Sequence, residues 1–225
     1  MVTTIGLQEM RVDVVDLFPT ALGIYKWDHE KHMELKKLTQ ELIKTRQRMD
    51  NPMTNDIGHY YNVSQESLLN EDYPIIREFE EFISRSYVDY TQSVYNWNLT
   101  KEHFISECWV NVTKKGGWQF KHSHANAFVS GTYYLNFPST ATGITFHSSS
   151  IEKSDPYLSA MPREQNKYNS ESLTMTPKET ILFLWPSNLT HDTKILEADV
   201  KRVSISMNIV PSELDTGIYS IKLSK

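Results

Sequence analysis

The 225-residue sequence has a single cysteine, Cys108, so no internal disulfide can form. Its place in the apolar run Cys108-Trp109-Val110 reads as a small buried hydrophobe in a reducing compartment. Long apolar runs are also missing. No stretch approaches the roughly 20 residues of a membrane-spanning helix, and the opening segment MVTTIGLQEMRVDVVDLF lacks the basic and then continuously apolar order of a secretory signal. The expectation is a cytoplasmic protein with no membrane partner, in which Asn-x-Ser/Thr triplets such as Asn98-Leu-Thr100 are coincidental. A basic surplus is absent too: 23 Lys and Arg stand against 28 Asp and Glu, a net charge of -5, with no basic stripe to track a phosphate backbone. That argues against a nucleic-acid partner. There is no internal repeat and no low-complexity tract.

What is present, 39% hydrophobic and 12% aromatic residues, suffices for one substantial core. The organisation expected is a single domain over residues 1–225, with 1–100 as helical support and 101–212 as a β core. From Asp28 to Arg48, Met33, Leu35, Leu38, Leu42 and Ile43 recur at mostly helical spacing among lysines and glutamates. A second helix is expected from Tyr73 to about Tyr95, with Pro74 in its first turn and Ile76, Phe79, Phe82, Ile83 and Tyr87 as its apolar stripe. Residues 66–71 read as a mostly polar connection. After Trp97 the pattern changes to short runs rich in Val, Thr, Ile, Phe and Tyr, with strands expected at 104–113, 117–124, 128–137, 143–148, 172–176, 180–185 and 200–210. Short strands without intervening helices indicate a sandwich or barrel. The polar stretch 149–170 is long enough to be a lid or a disordered loop.

Three elements carry chemistry. In His122-Ser-His124, side chains two apart on an extended segment share a face, so both imidazoles can converge on one metal ion. Surface or core histidines would give the same spacing. The apolar strand ending at Pro186 delivers His191 on a polar loop, either toward a barrel mouth or simply into solvent. From Arg202 to Ile209 the chain alternates with period two: Arg202, Ser204, Ser206 and Asn208 on one face, Val203, Ile205, Met207 and Ile209 on the other. An antiparallel strand wetted on one side would do this. A polar inner wall would also do it, with Arg202 presenting its planar fork to a carboxylate. Thr132, Tyr134 and Asn136 share a face opposite Tyr133, Leu135 and Phe137, and at least one of the two tyrosines is expected in the core. Trp109 and Asn111 share a face, as do Trp118 and Phe120 with His122 and His124, and each set would line either a pocket or the core.

The order Trp109-Val-Asn111, Gly117, His122-Ser-His124, Ser130-Gly-Thr-Tyr-Tyr-Leu135, Phe183-Leu-Trp-Pro-Ser187 with His191, and Arg202-Val-Ser-Ile-Ser-Met-Asn208 resembles the Fe(II)/2-oxoglutarate oxygenases. Within them it is most similar to a small family common in tailed phages of marine cyanobacteria and in marine bacteria. The resemblance covers about residues 105–210, and Asp16-Leu-Phe-Pro-Thr20 looks like that family's N-terminal signature. It implies a mainly β chain folded as a double-stranded β-helix, a cupin-like jelly roll with flanking N-terminal helices. It further implies a reaction in which 2-oxoglutarate and dioxygen give succinate and carbon dioxide while an unactivated carbon is hydroxylated. His122, His124 and His191 match the metal ligands. Arg202 and Ser204 match the residues that hold the distal carboxylate of 2-oxoglutarate, with Tyr134 and Asn136 as further candidates beside it and Trp109, Asn111 and Asn208 in the pocket wall.

The sequence departs from the pattern at His124, where a carboxylate is usual, which leaves the Fe(II) site one unit more positive. Ligand histidines must be neutral, so metal affinity is expected to fall below about pH 6.5. Asp192 is either an acceptor for a ligand ring or a solvated loop residue. Lys178-Glu179 stands where relatives often carry glycine, and His147, which stands where relatives tend to have aspartate, is not assigned to the metal. The prime substrate is expected to be a protein side chain, a small molecule or a modified base, and the oligomeric state is open, a homodimer included. Two other classes compete: a three-histidine cupin dioxygenase without co-substrate, which would need no anion clamp, and a non-catalytic jelly-roll binding module. If the chain is phage-encoded, its compartment is the host cytoplasm.

Overall fold

A computed structural model describes residues 16, 19–61, 66–97, 99, 101–148, 163–164 and 166–223. Residues 17 and 18 of the Asp16–Thr20 motif and most of the 149–170 loop therefore lie outside the described residues, and with the loop the expectation of a lid.

Two helices form where the periodicity places them. Asp28 caps α1 (His29–Thr45), its Oδ1 accepting from the backbone N–H groups of Glu30 and Lys31 at 3.0 Å each, which satisfies two of the donors a helix start leaves free. The buried face is His32, Leu35, Thr39 and Leu42. Met33, expected in the apolar stripe, is 48% exposed, because the stripe lies one position earlier, centred on His32 and Leu35. α2 (Pro74–Asp89) opens on a proline that needs no N–H partner there, and a π-helical turn, Tyr90–Val94, extends it. Its Ile75, Ile76, Phe79, Ile83 and Tyr87 are buried. The connection before it contains a 3₁₀ turn, Leu68–Asn70, whose Leu68 is fully buried.

The strands are β1 (Gly23–Lys26), β2 (Thr54–Tyr60), β3 (His103–His122), β4 (Val129–Asn136), β5 (Ile144–His147), β6 (Ser172–Met175), β7 (Ile181–Pro186), β8 (His191–Thr193), β9 (Arg202–Pro211), β10 (Glu213–Asp215) and β11 (Ser220–Lys222). The last two form a separate hairpin. The others make a nine-stranded antiparallel sheet in the order β1-β7-β4-β9-β3-β8-β5-β6, with β2 added beside β3. The fold is a double-stranded β-helix with two helices on its outside. The N-terminal hundred residues are more than helical support, since β1 and β2 both join the sheet.

β3 takes the place of the two strands expected at 104–113 and 117–124. Its first half pairs with β9 and its end with β8, so it passes from one side of the roll to the other. The kink lies at Gly116-Gly117. Gly116 has φ +85°, and a Cβ on Gly117 would stand 2.6 Å from Thr113 Cγ2 and 2.9 Å from the Asp56 carbonyl oxygen. Only glycine permits this bend.

Two apolar clusters lie on opposite faces of the sheet. The outer one joins Leu35, Ile76, Phe79, Ile83 and Tyr87 of the helices to residues such as Tyr133, Leu182, Ile205 and Met207. The inner one, inside the roll, contains Tyr134, Phe146, Phe183, Trp185 and Leu196. Burying both faces accounts for β9, where the polar face Arg202, Ser204 and Asn208 is as enclosed as the apolar one. The wetted-strand reading of its alternation does not hold.

Candidate metal centre

The kinked end of β3 and the start of β8 bring three imidazoles together. His122 and His191 are cross-strand partners. His124 lies just beyond the end of β3, where its backbone N–H donates to the Ser187 carbonyl at 2.9 Å. The ring centroids are 4.3 Å apart for His122 and His191, 5.2 Å for His122 and His124, and 5.3 Å for His124 and His191. One nitrogen from each lies within 4.8 Å of the others, a spacing suited to one ion with bonds of about 2.0–2.3 Å. His191 does not sit on a polar loop: it opens β8 and is 5% exposed, against Phe146 and Trp185.

The hydrogen bonds select the tautomer. His122 Nδ1 lies 2.8 Å from the Phe120 carbonyl, His191 Nδ1 3.0 Å from the Leu189 carbonyl, and His124 Nδ1 2.7 Å from Asn208 Oδ1. Each Nδ1 faces an acceptor and must carry the proton, which leaves the lone pair on Nε2 for a metal. Gln119 Nε2, donating to His122 Nε2 at 3.2 Å, agrees with that assignment. Burial lowers the basicity of all three rings. His191 is pushed down to about 3, first by desolvation and then by repulsion from His122, while His122 and His124 are also depressed mainly by desolvation. The rings are therefore neutral at physiological pH, the form a metal requires.

The same cavity contains Arg202, Ser204 and Tyr134, with Trp109, Asn111 and Gln119 in its wall. Arg202 is 5% exposed and donates to the Thr142 carbonyl at 2.7 Å and to Thr113 Oγ1 at 3.2 Å. No described carboxylate pairs with it, and its burial lowers its pKa. A buried guanidinium without a counter-ion is costly, so its remaining donors call for an anion. Tyr134 faces this wall, with no described hydrogen-bond partner for its hydroxyl.

Other expectations shift. Asn136 leaves the cavity: between Tyr134 and Asn136 the register of β4 against β9 slips by one residue, and Asn136 Nδ2 donates instead to the Lys201 carbonyl at 2.7 Å. Asn208, expected in the pocket wall, stands behind His124 and orients it. Trp109 and Asn111 do share the cavity, joined by an indole N–H to Asn111 Oδ1 bond of 3.0 Å. Trp118 and Phe120 pack edge to face outside it. Asp192 bonds His147 Nε2 at 2.6 Å and makes no hydrogen bond to the three rings, so it is neither a ligand-ring acceptor nor a freely solvated aspartate. Sequence reasoning missed Gln119, whose role depends on the register shift between Gln119 and His122.

Residues 107–208 match the model of a family described as "Putative 2OG-Fe(II) oxygenase". Among solved structures the chain is similar to HygX from Streptomyces hygroscopicus with nickel, 2-oxoglutarate and hygromycin B bound (11% identity, 86% of this chain and 84% of that one, TM-score 0.58). It is also similar to a Trichoplax adhaerens prolyl hydroxylase in complex with a hypoxia-inducible-factor peptide fragment (13% identity, 84% and 83%, TM-score 0.58). A third is a Pseudomonas putida prolyl-4-hydroxylase (9% identity, 85% and 93%, TM-score 0.58). At these identities the likeness defines the fold. No curated protein matches the sequence. The family match and the shared β-helix together support the class of 2-oxoglutarate- and iron-dependent oxygenases, and the histidine triad is a site able to hold a metal. Among the described residues no helix is long and apolar enough to cross a membrane.

Proposed function

We infer that this chain is an iron(II)- and 2-oxoglutarate-dependent oxygenase in which Nε2 of His122, His124 and His191 hold the metal and Arg202 pairs with the distal carboxylate of 2-oxoglutarate. The observation that carries this is the buried guanidinium without a carboxylate partner, in one cavity with three neutral, Nδ1-anchored imidazoles. A three-histidine dioxygenase without co-substrate would have no use for that cation, nor would a binding module need both features together.

The donor set fits the group. Imidazole nitrogen suits iron, and the fork of Arg202 suits a carboxylate, with Ser204 and the Tyr134 hydroxyl as neutral donors beside it. When bound, the metal supplies the redox chemistry that couples decarboxylation of 2-oxoglutarate, with dioxygen, to oxidation of a substrate carbon. The residues bind and exclude. The carbonyls of Phe120 and Leu189 and the Asn208 amide fix the three rings, while Phe146 and Trp185 shield His191 from water. The prime substrate of this reading is a small molecule or a protein side chain, hydroxylated in the cytoplasm. The finer kinship with the marine phage and bacterial family belongs to this reading and rests on the ordered motifs of about residues 105–210, with Asp16–Thr20 as an additional likeness.

Equilibrium dialysis against Fe(II) under argon tests the ligand set. The parent chain should take up one ion per molecule and His191→Ala almost none. His124→Asp, which restores the common two-histidine, one-carboxylate set, should retain binding and part of the succinate formation, whereas His124→Ala should lose much of both. Parent-like binding by His124→Ala would remove His124 from the ligand set.

A further inference from the structure

β3 carries a second irregularity, well before its kink. Between Ile105 and Glu107 its register against β9 shifts, so that Ile105 stands opposite Ile209 and Glu107 opposite Asn208. Ser106 is the extra residue of this bulge, and its hydroxyl donates to the Asn208 carbonyl at 3.2 Å. A bulge re-aims the residues around it. Ile105 packs against the outer apolar cluster, whereas Glu107 reaches the polar wall. There its Oε2 accepts from the side-chain amide of Asn208 and, at 3.1 Å, from Asn126 Nδ2. Asn208 is 2% exposed, and its Oδ1 takes the His124 Nδ1 proton at 2.7 Å and the Ser130 hydroxyl at 2.9 Å. A carboxylate, an amide and an imidazole are thus joined in series.

We propose that Glu107 is a positioning residue of the metal centre: acting through Asn208, it fixes the His124 ring and supplies, one amide removed, the negative charge that a directly ligating carboxylate would bring. The proposal rests on the ligand set given above.

Glu107 acts first on orientation. An asparagine amide has a donor end and an acceptor end of nearly the same shape, and Ser130 can satisfy either. The Glu107 carboxylate can only accept. It therefore holds the amide NH₂ toward itself and turns Oδ1 toward His124, which puts the proton on Nδ1 and the lone pair on Nε2. It acts also on charge. A divalent ion and Arg202 together exceed the two negative charges of 2-oxoglutarate by one, because all three ligands are neutral. Glu107 balances this at a distance, and hydrogen bonds in series polarise one another, so the carboxylate makes Oδ1 a stronger acceptor and Nε2 a stronger donor. Asp192, the middle residue of β8 and next to His191, is another carboxylate near the site among the described residues, and His147 is its hydrogen-bond partner.

Glu107→Gln tests the proposal, since it removes the charge and keeps the size. Three quantities are read: the Fe(II) dissociation constant under argon, the potential of the bound iron, and the ¹⁵N-resolved tautomer of His124 in the metal-free chain. The expected result is metal binding weaker by about 10-fold or more, a higher potential, and loss of the uniform Nδ1–H form of His124. Glu107→Asp, which keeps the charge on a shorter arm, should fall between parent and Gln variant. In an Asn208→Ala background the Glu107→Gln change should cost less than about twofold, because the link is already cut. Parent-like affinity, potential and tautomer in Glu107→Gln would overturn the proposal, as would the full penalty persisting without Asn208. Should the parent bind no metal, the ligand set itself falls, and an unaltered His124 tautomer in Glu107→Gln would separately dismiss the role of Glu107.

Discussion

Tyr133 and Tyr134 are neighbours in the chain and belong to opposite sides of the sheet. The Tyr133 hydroxyl lies 2.7 Å from Nδ1 of the fully buried His32, and its ring packs edge-on to Phe79 at 5.0 Å. Tyr134 packs on Phe137 and Phe183 inside the roll and shares the cavity with Arg202. Strand alternation makes this division, and it separates a structural tyrosine from a ligand-facing one.

Tyr133→Phe should therefore lower stability by about 1–3 kcal/mol, the cost of stranding a buried polar atom, and leave 2-oxoglutarate affinity alone. Tyr134→Phe should do the reverse, weakening 2-oxoglutarate about 10- to 150-fold, the worth of one hydrogen bond to a charged carboxylate. Thermal melts and calorimetric titration with 2-oxoglutarate, run on both variants, check the pair.

Arg202→Lys keeps a positive charge and loses the fork. We expect the 2-oxoglutarate dissociation constant to rise by the equivalent of about 2–5 kcal/mol, with the melting temperature of the metal-free chain nearly unchanged. An unchanged dissociation constant would mean that Arg202 has only its Thr142 and Thr113 partners.

The pH dependence follows from the lowered basicity of the histidines. For a group whose folded pKa lies below its unfolded value of 6.5, the unfolded chain takes up the proton first, so stability is full above that value and drains away as pH falls. For His191 the window runs from 6.5 down to about 3, and the shifts of His122 and His124 act in the same direction. The metal-free chain should lose stability steadily across this range. Metal binding, by contrast, should persist somewhat below about pH 6.5, because rings of lowered basicity leave protons less able to compete with the ion. Urea midpoints and metal affinities between about pH 4 and 7 test both statements, and His191→Ala should flatten the stability curve.

Thr180 has φ +73°, a left-handed conformation that is costly for a β-branched residue, and its backbone N–H and carbonyl join Tyr134 and Trp27 at 3.2 and 2.9 Å. Thr180→Gly should raise stability by about 1 kcal/mol, or roughly 2–4 °C in melting temperature, without changing 2-oxoglutarate affinity. A lower melting temperature would mean that the packing of the threonine side chain outweighs its backbone strain.

Much of this arrangement was legible in the sequence, because helical periodicity marks α1 and α2 and period two marks β9. The same-face rule that put Arg202 and Ser204 on one wall holds there because β9 runs without interruption between them. The rule fails wherever register slips. It misplaced Asn136, whose strand gains a residue just after Tyr134, and it gave no sign of Glu107, which a bulge at Ser106 sets opposite Asn208. His122 and His124 meet although His124 lies past the end of β3, held by the Ser187 carbonyl from another strand connection. β1 is only four residues long, and the polar, glycine-containing Thr54–Tyr60 segment becomes a strand because β3 offers it a partner.

One iron ion and one 2-oxoglutarate are expected to meet in this cavity. Anaerobic addition of Fe(II) and then 2-oxoglutarate, followed by visible absorption, tests it most directly. A metal-to-ligand charge-transfer band should appear only when both are present, saturate at one equivalent of each per chain, and be lost in His191→Ala and strongly weakened in Arg202→Lys. A parent chain that binds Fe(II) yet develops no band with excess 2-oxoglutarate would contradict the account.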